Sequence, residues 1–370
     1  MARSHDHASG MHAAPSAMEV GYTVASPSAK ALPAADPGTV ATDPLSDVLR
    51  AVKLTGALFF AVEASTPWGI EVPRTDRYAA IILPRAQHVV SYHIVLEGEG
   101  WASLPGIAPT RFQAGDILVF PHGDAYSMRS APGGEVEYGE EATLGFFREM
   151  MAGRLPFVVQ EGGGGAGRAR FVCGFLGCDT RPFNPVLATL PRILVVRRPA
   201  GAQGGLLDEL VALTLAEARV ARAGGESIRL RLGELIFVEV VRQHLDALPE
   251  GRTGWLSGLR DPAIGRVLTA MHAEPARAWT LEALAGMAGL SRAVLAERFA
   301  QLVGCPPIHY LTLWRMQIAA RLLADSPMKV AAVANEVGYA SEAAFSRAFK
   351  KATGLAPAIW RARHAAATAD

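Results

Sequence analysis

The sequence holds few cysteines, no long apolar run and almost no net charge. Three cysteines in 370 residues cannot build a disulfide framework, which favours a reducing compartment. No apolar stretch approaches the roughly 18 residues of a membrane span, and the N-terminus lacks the apolar run of a secretory signal. We therefore predict a cytoplasmic protein without a membrane partner. Because 50% of the residues are hydrophobic, the chain can fill at least one sizeable core.

The formal net charge of +1 conceals an uneven distribution. Residues 255–370 contain 13 Lys and Arg against 8 Asp and Glu, whereas the rest of the chain contains 23 against 27. A basic end on an acidic body favours an anionic partner for that end.

The first 200 residues divide into a tail and a β-rich region. Residues 1–44 are rich in Ala, Pro, Ser and His without hydrophobic periodicity, which predicts a disordered tail. Short apolar runs with turn residues between them then predict a β-sandwich or barrel. These runs cover 56–64, 78–84, 88–100, 115–123 and 192–198. The glycine-rich segment 161–170 predicts a flexible loop, not a phosphate cradle, because no Lys-Ser/Thr pair follows it.

Two helices follow the β-rich region. Segments 206–221 and 227–245 carry apolar residues at a spacing of three to four, which predicts an antiparallel helical pair. The second segment has more apolar residues than one thin stripe requires: Leu235, Ile236, Phe237, Val240 and Val241. These residues either pair with a second subunit or pack on the chain's own domains. We favour the first alternative, which predicts a homodimer.

The last hundred residues contain an internal repeat, with one copy over 281–311 and another over 330–361. Each copy reads as a short helix, a Gly-containing turn and a longer helix that begins after a Ser N-cap. The landmarks Ser291, Leu295, Phe299, Gly304 and Pro307 recur 50 residues later as Ser341, Phe345, Phe349, Gly354 and Pro357. This pattern predicts two helix-turn-helix units, joined by an amphipathic helix over 310–326.

The repeat closely resembles the DNA-binding domain of the AraC/XylS family of bacterial transcriptional regulators. The resemblance covers about 255–364, and the segments WRMQIAARLL and VGYASEAAFSRAFKKATGLAP carry it. It implies a seven-helix domain that binds double-stranded operator DNA, with RNA polymerase as a further candidate partner. The residues implied to face the bases are Arg292, Ala293, Ala296, Glu297, Glu342, Ala343, Ser346 and Arg347. Those implied to contact phosphates are Arg315, Lys350, Lys351 and Arg361.

The β-rich region resembles a cupin barrel. The segment GDILVFPHGDAYSM matches the second cupin motif at Gly115, Pro121 and Gly123, but Tyr126 stands where the motif has a metal-binding His. The resemblance implies a sensor domain that binds an effector, whose identity the sequence does not give. A cupin metalloenzyme with a helical tail is the alternative. The missing ligands disfavour it, and we predict that the protein is not an enzyme.

One cluster outside the DNA-binding domain could hold a metal. His93, His122, Cys173 and Cys178 provide the four nitrogen and sulfur ligands of a tetrahedral zinc site. The two cysteines could instead form a thiol redox pair, or be small buried apolar residues. All three interpretations remain open on the sequence alone.

These patterns together predict an α+β multidomain protein that acts as a sequence-specific, effector-controlled transcriptional regulator. Its predicted parts are a disordered tail over 1–44, a cupin-like sensor domain over 45–200, a helical dimerisation pair over 201–250 and the double helix-turn-helix domain over 255–364.

Overall fold

The computed structural model describes residues 43–51, 54–134, 136–178, 180–197, 204–218, 222–249 and 252–369. The predicted disordered tail lies outside the described residues, except for its last two positions. The strands are β1 (Leu54–Ser65), β2 (Gly69–Val72), β3 (His88–Glu97), β4 (Glu99–Ser103), β5 (Thr110–Gln113), β6 (Ile117–Phe120), β7 (Tyr126–Arg129), β8 (Val158–Gly162), β9 (Arg168–Cys178) and β10 (Leu194–Val196).

The helices divide into those of the first 250 residues, which accompany these strands, and those of the last 120, which form the predicted double helix-turn-helix domain. The first group is α1 (Pro44–Ala51), α2 (Thr75–Ile82), α3 (Glu140–Met151), α4 (Pro185–Thr189), α5 (Leu206–Ala218) and α6 (Gly225–Ala247). The second is α7 (Trp255–Arg260), α8 (Pro262–Ala273), α9 (Leu281–Ala288), α10 (Arg292–Val303), α11 (Pro307–Asp325), α12 (Val330–Glu336), α13 (Glu342–Thr353) and α14 (Pro357–Ala369). Within the described ranges, none of these helices is both long and apolar enough to cross a membrane.

Two sheets form the predicted barrel. The six-stranded sheet has the order β10-β6-β3-β9-β1-β8, and the four-stranded sheet has the order β2-β7-β4-β5. Neighbouring strands are antiparallel except β1 and β8, which are parallel. Side chains alternate along β1, so that Phe60 and Val62 fill the space between the sheets while Phe59 belongs to the core outside the barrel. The cupin-like barrel and the α+β fold class are confirmed.

One apolar run that we predicted as a strand is helical. Residues 78–82 belong to α2, in which Tyr78 and Ile82 are both buried. Two residues four positions apart lie on the same face of a helix, and they also lie on the same face of a strand. A run this short is therefore compatible with either structure.

The glycine-rich segment after β8 is tied to the end of β1. The N–H of Gly163 donates to the carbonyl of Ser65 at 3.2 Å, and the N–H of Gly165 donates to that of Thr66 at 2.7 Å. Gly162 has a φ of 100°, and a Cβ there would lie only 1.9 Å from the Ser65 carbonyl oxygen. These contacts correct the expectation of a flexible loop: the glycines allow two backbone segments to pack closely.

The helical pair packs on the chain itself. The helix α6 packs on β1 and β9, and a Cβ at Gly233 would lie only 2.7 Å from the side chain of Leu176 on β9. Of the five surplus apolar residues, four are buried within this chain: Ile236, Phe237, Val240 and Val241. Only Leu235 is exposed. The prediction that Phe237 and Val241 pack across subunits is therefore wrong, because the sheet and neighbouring helices already cover them.

Residues 252–369 form the predicted double helix-turn-helix domain. They contain eight helices, one more than the resemblance implies, because Asp261 ends α7 and caps α8 with its side chain. The two units differ in their packing. The first, α9 and α10, shares one continuous hydrophobic core with the outer face of the barrel, α1 and α6. The second, α12 and α13, has a core of its own around Phe345 and Phe349.

Candidate DNA interface and sensor cavity

The two recognition helices, α10 and α13, begin and end alike. The hydroxyl of Ser291 accepts the N–H of Val294 at 3.3 Å, and that of Ser341 accepts the N–H of Ala344 at 3.4 Å. Each helix ends at a glycine with positive φ, Gly304 or Gly354. The buried residues on each helix are four apart, which leaves the opposite face outward.

The residues predicted to face the bases lie on these outward faces. Six of the eight are exposed, namely Arg292, Ala293, Glu297, Glu342, Ala343 and Arg347, while Ala296 and Ser346 are half-buried. The guanidinium of Arg347 makes no ion pair with any described residue. On α10, by contrast, Arg298 is held by Asp261 through an Nε–carboxylate hydrogen bond of 3.0 Å. Beyond the first turn of each helix, Arg347 on α13 therefore has a guanidinium without an ion pair to any described residue, whereas Arg298 on α10 does not.

The four residues predicted to contact phosphates differ in their surroundings. Lys350 and Lys351 are exposed on α13. Arg315 donates from Nε to the carbonyl of Pro275 at 2.7 Å and from Nη2 to that of Arg277 at 2.8 Å. Arg361 donates from Nε to the carbonyl of Leu323 at 3.3 Å and from Nη2 to that of Met328. Both guanidinium groups therefore brace loops within the domain, and a phosphate contact by either arginine stays a prediction.

An open-mouthed cavity lies inside the barrel. The cavity volume is about 40 Å³, and about 530 Å³ when the empty space that is continuous with solvent at its mouth is counted. The six aromatic residues along its wall are Phe60, Trp68, Phe146, Phe147, Phe171 and Phe175. Three polar side chains also line it: His93, Glu161 and Cys173.

Two of these three polar groups are uncharged at neutral pH. His93 places Nδ1 3.1 Å from Sγ of Cys173 and Nε2 2.7 Å from the hydroxyl of Tyr126. Burial lowers the pKa of His93 to about 3 and raises the pKa of the Cys173 thiol well above its ordinary value. Burial, followed by the charge of Glu137, raises the pKa of Glu161 to about 7. Glu161 is thus the cavity group whose charge changes near neutral pH.

The predicted zinc cluster does not form. His93 and Cys173 meet inside the barrel, but Cys178 lies five residues along the same strand and joins the core outside it. His122 is exposed, and its Nε2 donates to the carbonyl of Leu190 at 2.9 Å. The described parts of the chain contain no group of three or more His, Cys, Asp or Glu that could hold a metal. The metal prediction and the redox pair are therefore wrong, because the sheet separates the two cysteines.

A buried amide joins the cupin-like domain to the helix-turn-helix domain. Gln317 lies on α11, the helix between the two helix-turn-helix units, and is 4% exposed. Its Nε2 donates to the carbonyl of Ala51 at 3.0 Å, and its Oε1 accepts the N–H of Phe183 at 3.0 Å. Ala51 ends α1, and Phe183 lies in the loop before α4. One side chain therefore satisfies backbone groups from two sensor segments.

A second polar chain crosses the same contact. Trp255 donates from Nε1 to the Tyr310 hydroxyl at 2.8 Å, and that hydroxyl lies 2.8 Å from Nε2 of His272. Because the hydroxyl proton is then available to Nε2, the ring proton belongs on Nδ1, which faces the Asp47 carboxylate 3.4 Å away. Burial lowers the pKa of His272, and Asp47 opposes that shift. Asp47 lies on α1, so this helix contacts the DNA-binding domain through both polar chains.

Comparison with known proteins supplies the family. A cupin family model matches residues 43–246, and a helix-turn-helix domain model matches residues 284–363. A protein of Streptomyces lividans described as an AraC-like transcription regulator is 32% identical over 327 residues, which span 86% of this chain and 98% of that protein. The chain belongs to the AraC-like transcription regulators. The family resemblance of the helix-turn-helix repeat is confirmed.

Two further proteins are similar to this chain. The transcriptional regulator AlkR of Acinetobacter baylyi is 26% identical to this AraC-like chain and covers 86% of it and 99% of its own length. The solved DNA-binding domain of AdpA, in complex with a target DNA, is 33% identical over 29% of this chain and 95% of that chain, with a TM-score of 0.27. Because the relatives are named as regulators, the function of transcriptional regulation is confirmed and the metalloenzyme alternative is not favoured.

Proposed function

We propose that this regulator reads operator DNA mainly with α13 and adjusts that binding to an effector held in the barrel cavity. The observation that carries the proposal is the shared core: the outer face of the barrel, α1 and the first helix-turn-helix unit pack as one hydrophobic cluster. The cavity lining lies in the inner core, on the other face of the same strands, so a change in the cavity would act on α8–α11 through β1, β3 and β9. The second unit has a separate core, so the effect would pass to it through α11.

The division of work between the recognition helices rests on their side chains. Beyond Arg292 at its start, the outward face of α10 offers Ala293 and Ala296 with one acid, and Arg298 is paired internally. Such a face fits a groove by shape but gives few donors to base edges. The outward face of α13 offers Arg347 for bases and Lys350 and Lys351 for phosphates. We therefore assign base reading to α13 and the transmission of sensor state to α10.

The homodimer remains part of the proposal, with a different surface from the one predicted. On α5, Leu206 and Leu213 are 51% and 55% exposed, and on α6, Ile228 and Leu235 are 46% and 50% exposed. Each pair is seven residues apart, so each forms an outward stripe along its helix. A second copy of the chain that covers both stripes would remove four large apolar side chains from water. A contact with RNA polymerase stays a prediction.

Selection of DNA from a randomised pool by the full chain, followed by titrations, tests the proposed function. Specific regulators bind their sites about 10³-fold or more tightly than unrelated DNA at physiological salt. We expect the selected sequence to outcompete a scrambled one by that margin. Equal affinity for both sequences at every salt concentration would contradict a role as a sequence-specific reader.

A further inference from the structure

We propose that the barrel cavity selects a small organic cation with an apolar body, such as a quaternary ammonium compound, and this inference rests on the proposed effector role of the cavity. The aromatic wall and the single carboxylate at Glu161 together form the recognition surface. Lysine and arginine are absent among the residues that line the cavity.

Glu161 is positioned by strand alternation and by its neighbours. On β8, Val159 packs with the barrel core, and Glu161, two residues on, faces the same side. It pairs in register with Ala64 of β1, which also lines the cavity. The hydroxyl of Ser65 contacts its backbone carbonyl at 3.5 Å, and the tied glycine segment follows directly. The carboxylate is thus held at the cavity by a fixed backbone.

The surroundings of this carboxylate favour positive charge. No described Lys, Arg or His makes an ion pair with Glu161, and the exposed Glu137 adds a second negative charge nearby. His93 and Cys173 are neutral, so they do not offset the carboxylate. A carboxylate in an apolar cavity without a counter-ion costs free energy, and a bound cation would offset that cost.

The aromatic wall provides the second half of the site. Ring faces attract cations within about 6 Å, most strongly where water is excluded. Trp68 and the phenylalanines on α3, β1 and β9 supply several such rings around one space. An anion would meet both the ring faces and Glu161 unfavourably. A neutral apolar ligand would fill the space but leave the carboxylate without a partner.

Three probes of similar shape separate these cases: phenyltrimethylammonium, its neutral counterpart tert-butylbenzene, and benzenesulfonate. We would titrate each into the full-length chain by calorimetry at pH 8, with no DNA present. We expect the affinity to be highest for phenyltrimethylammonium and lower for tert-butylbenzene, and we expect no binding of benzenesulfonate. Glu161→Gln should lower the affinity for the cation about tenfold and leave the affinity for tert-butylbenzene nearly unchanged.

The matched control is Glu63→Gln. Glu63 lies on the opposite face of β1, where it accepts a hydrogen bond from Gln160 at 2.8 Å, so its loss should not alter cation binding. If Glu161→Gln fails to fold, Phe146→Leu on α3 provides an independent test, since it should weaken the cation more than tert-butylbenzene. Sulfonate or tert-butylbenzene binding as tightly as the cation would overturn the proposal, as would a cation affinity insensitive to both variants.

The same titrations keep this inference distinct from the proposed function. Cation binding that depends on Glu161 but leaves operator affinity unchanged would support the ligand assignment and count against the effector role. Sequence-specific operator binding by a protein whose cavity shows no preference for a cation would support the role as a DNA reader and contradict the ligand assignment.

Discussion

Gln317 of α11 donates its side-chain amide to the backbone carbonyl of Ala51 at 3.0 Å, across 266 residues of sequence. This hydrogen bond joins the helix between the two DNA-reading units to the helix that precedes the barrel. Gln317 is buried, and its amide bonds to backbone groups of two segments, of which the contact with Ala51 is itself buried. The cupin-like domain and the DNA-binding domain are thus joined by a specific polar contact within a shared apolar core.

Replacement of this amide should loosen that coupling. Gln317→Leu leaves the N–H of Phe183 and the carbonyl of Ala51 without partners, which should lower the free energy of unfolding by about 1–3 kcal/mol. Urea denaturation measures the change. Thr312→Ala, on the same helix at a more exposed position, is the control and should cost less. An unchanged midpoint for Gln317→Leu would show that the amide does not stabilise the contact.

The dimer surface can be tested with charge on the exposed stripes. Leu213→Glu and Leu235→Glu place a carboxylate where the side chains are already about half exposed, so each variant should fold and sediment as a monomer. Val241→Glu is the contrasting variant: its side chain is 0% exposed, and the change should unfold the domain. Dimers that persist in both leucine variants would exclude this surface.

The charge of Glu161 should make the stability of the unliganded protein depend on pH. Its pKa is about 7 in the folded chain against an ordinary 4.5, so this residue's contribution to stability falls as pH rises through that interval. Glu161→Gln should therefore raise the melting temperature at pH 8 and change it little at pH 5. The groups facing this carboxyl are Glu137, Tyr138, Cys173 and His93. A melting temperature that Glu161→Gln raises equally at both pH values would mean that the gain does not come from the charge.

Alanine variants of Arg361 and Lys351 should distinguish a residue that braces the domain from one that contacts phosphates. Arg361→Ala removes donors to two backbone carbonyls and should lower stability by about 1–3 kcal/mol, with little effect on the salt dependence of DNA binding. Lys351→Ala should leave the melting temperature unchanged and reduce the slope of log affinity against log salt by about one. If Arg361→Ala instead reduced the salt slope and left stability unchanged, Arg361 would be a phosphate contact.

The sequence predicts the DNA-binding domain better than the sensor, for a physical reason. The helix-turn-helix units are local: caps such as Ser291 and turn glycines such as Gly354 fix each helix within a few residues. Their exposed faces follow from helical spacing alone. The partners of Arg315 and Arg361 lie 33 to 40 residues away, so spacing could not show that they are already occupied.

The cavity and the domain contact depend on pairings between distant segments. Cys173 and Cys178 look like neighbours in sequence, but the alternation of β9 sends them into different cores. Glu161 carried one signal that could have been used: an acid that ends a strand just before a glycine run. Its importance depends on the aromatic residues of β1, α3 and β9, which only the fold brings together. Gln317 gave no sequence signal beyond being polar within an otherwise apolar helical stripe.

Base reading by α13 is the central claim, and Arg347→Ala tests it most directly. The measurement is binding of the wild type and the variant to the selected operator and to its single-base variants, at several salt concentrations. We expect Arg347→Ala to cost about 1–3 kcal/mol on the true operator and to relax preference at one base position, because a guanidinium can bond two acceptors of guanine. An equal loss of affinity on every sequence, with a reduced salt slope, would instead make Arg347 a phosphate contact and contradict the assignment of base reading to α13.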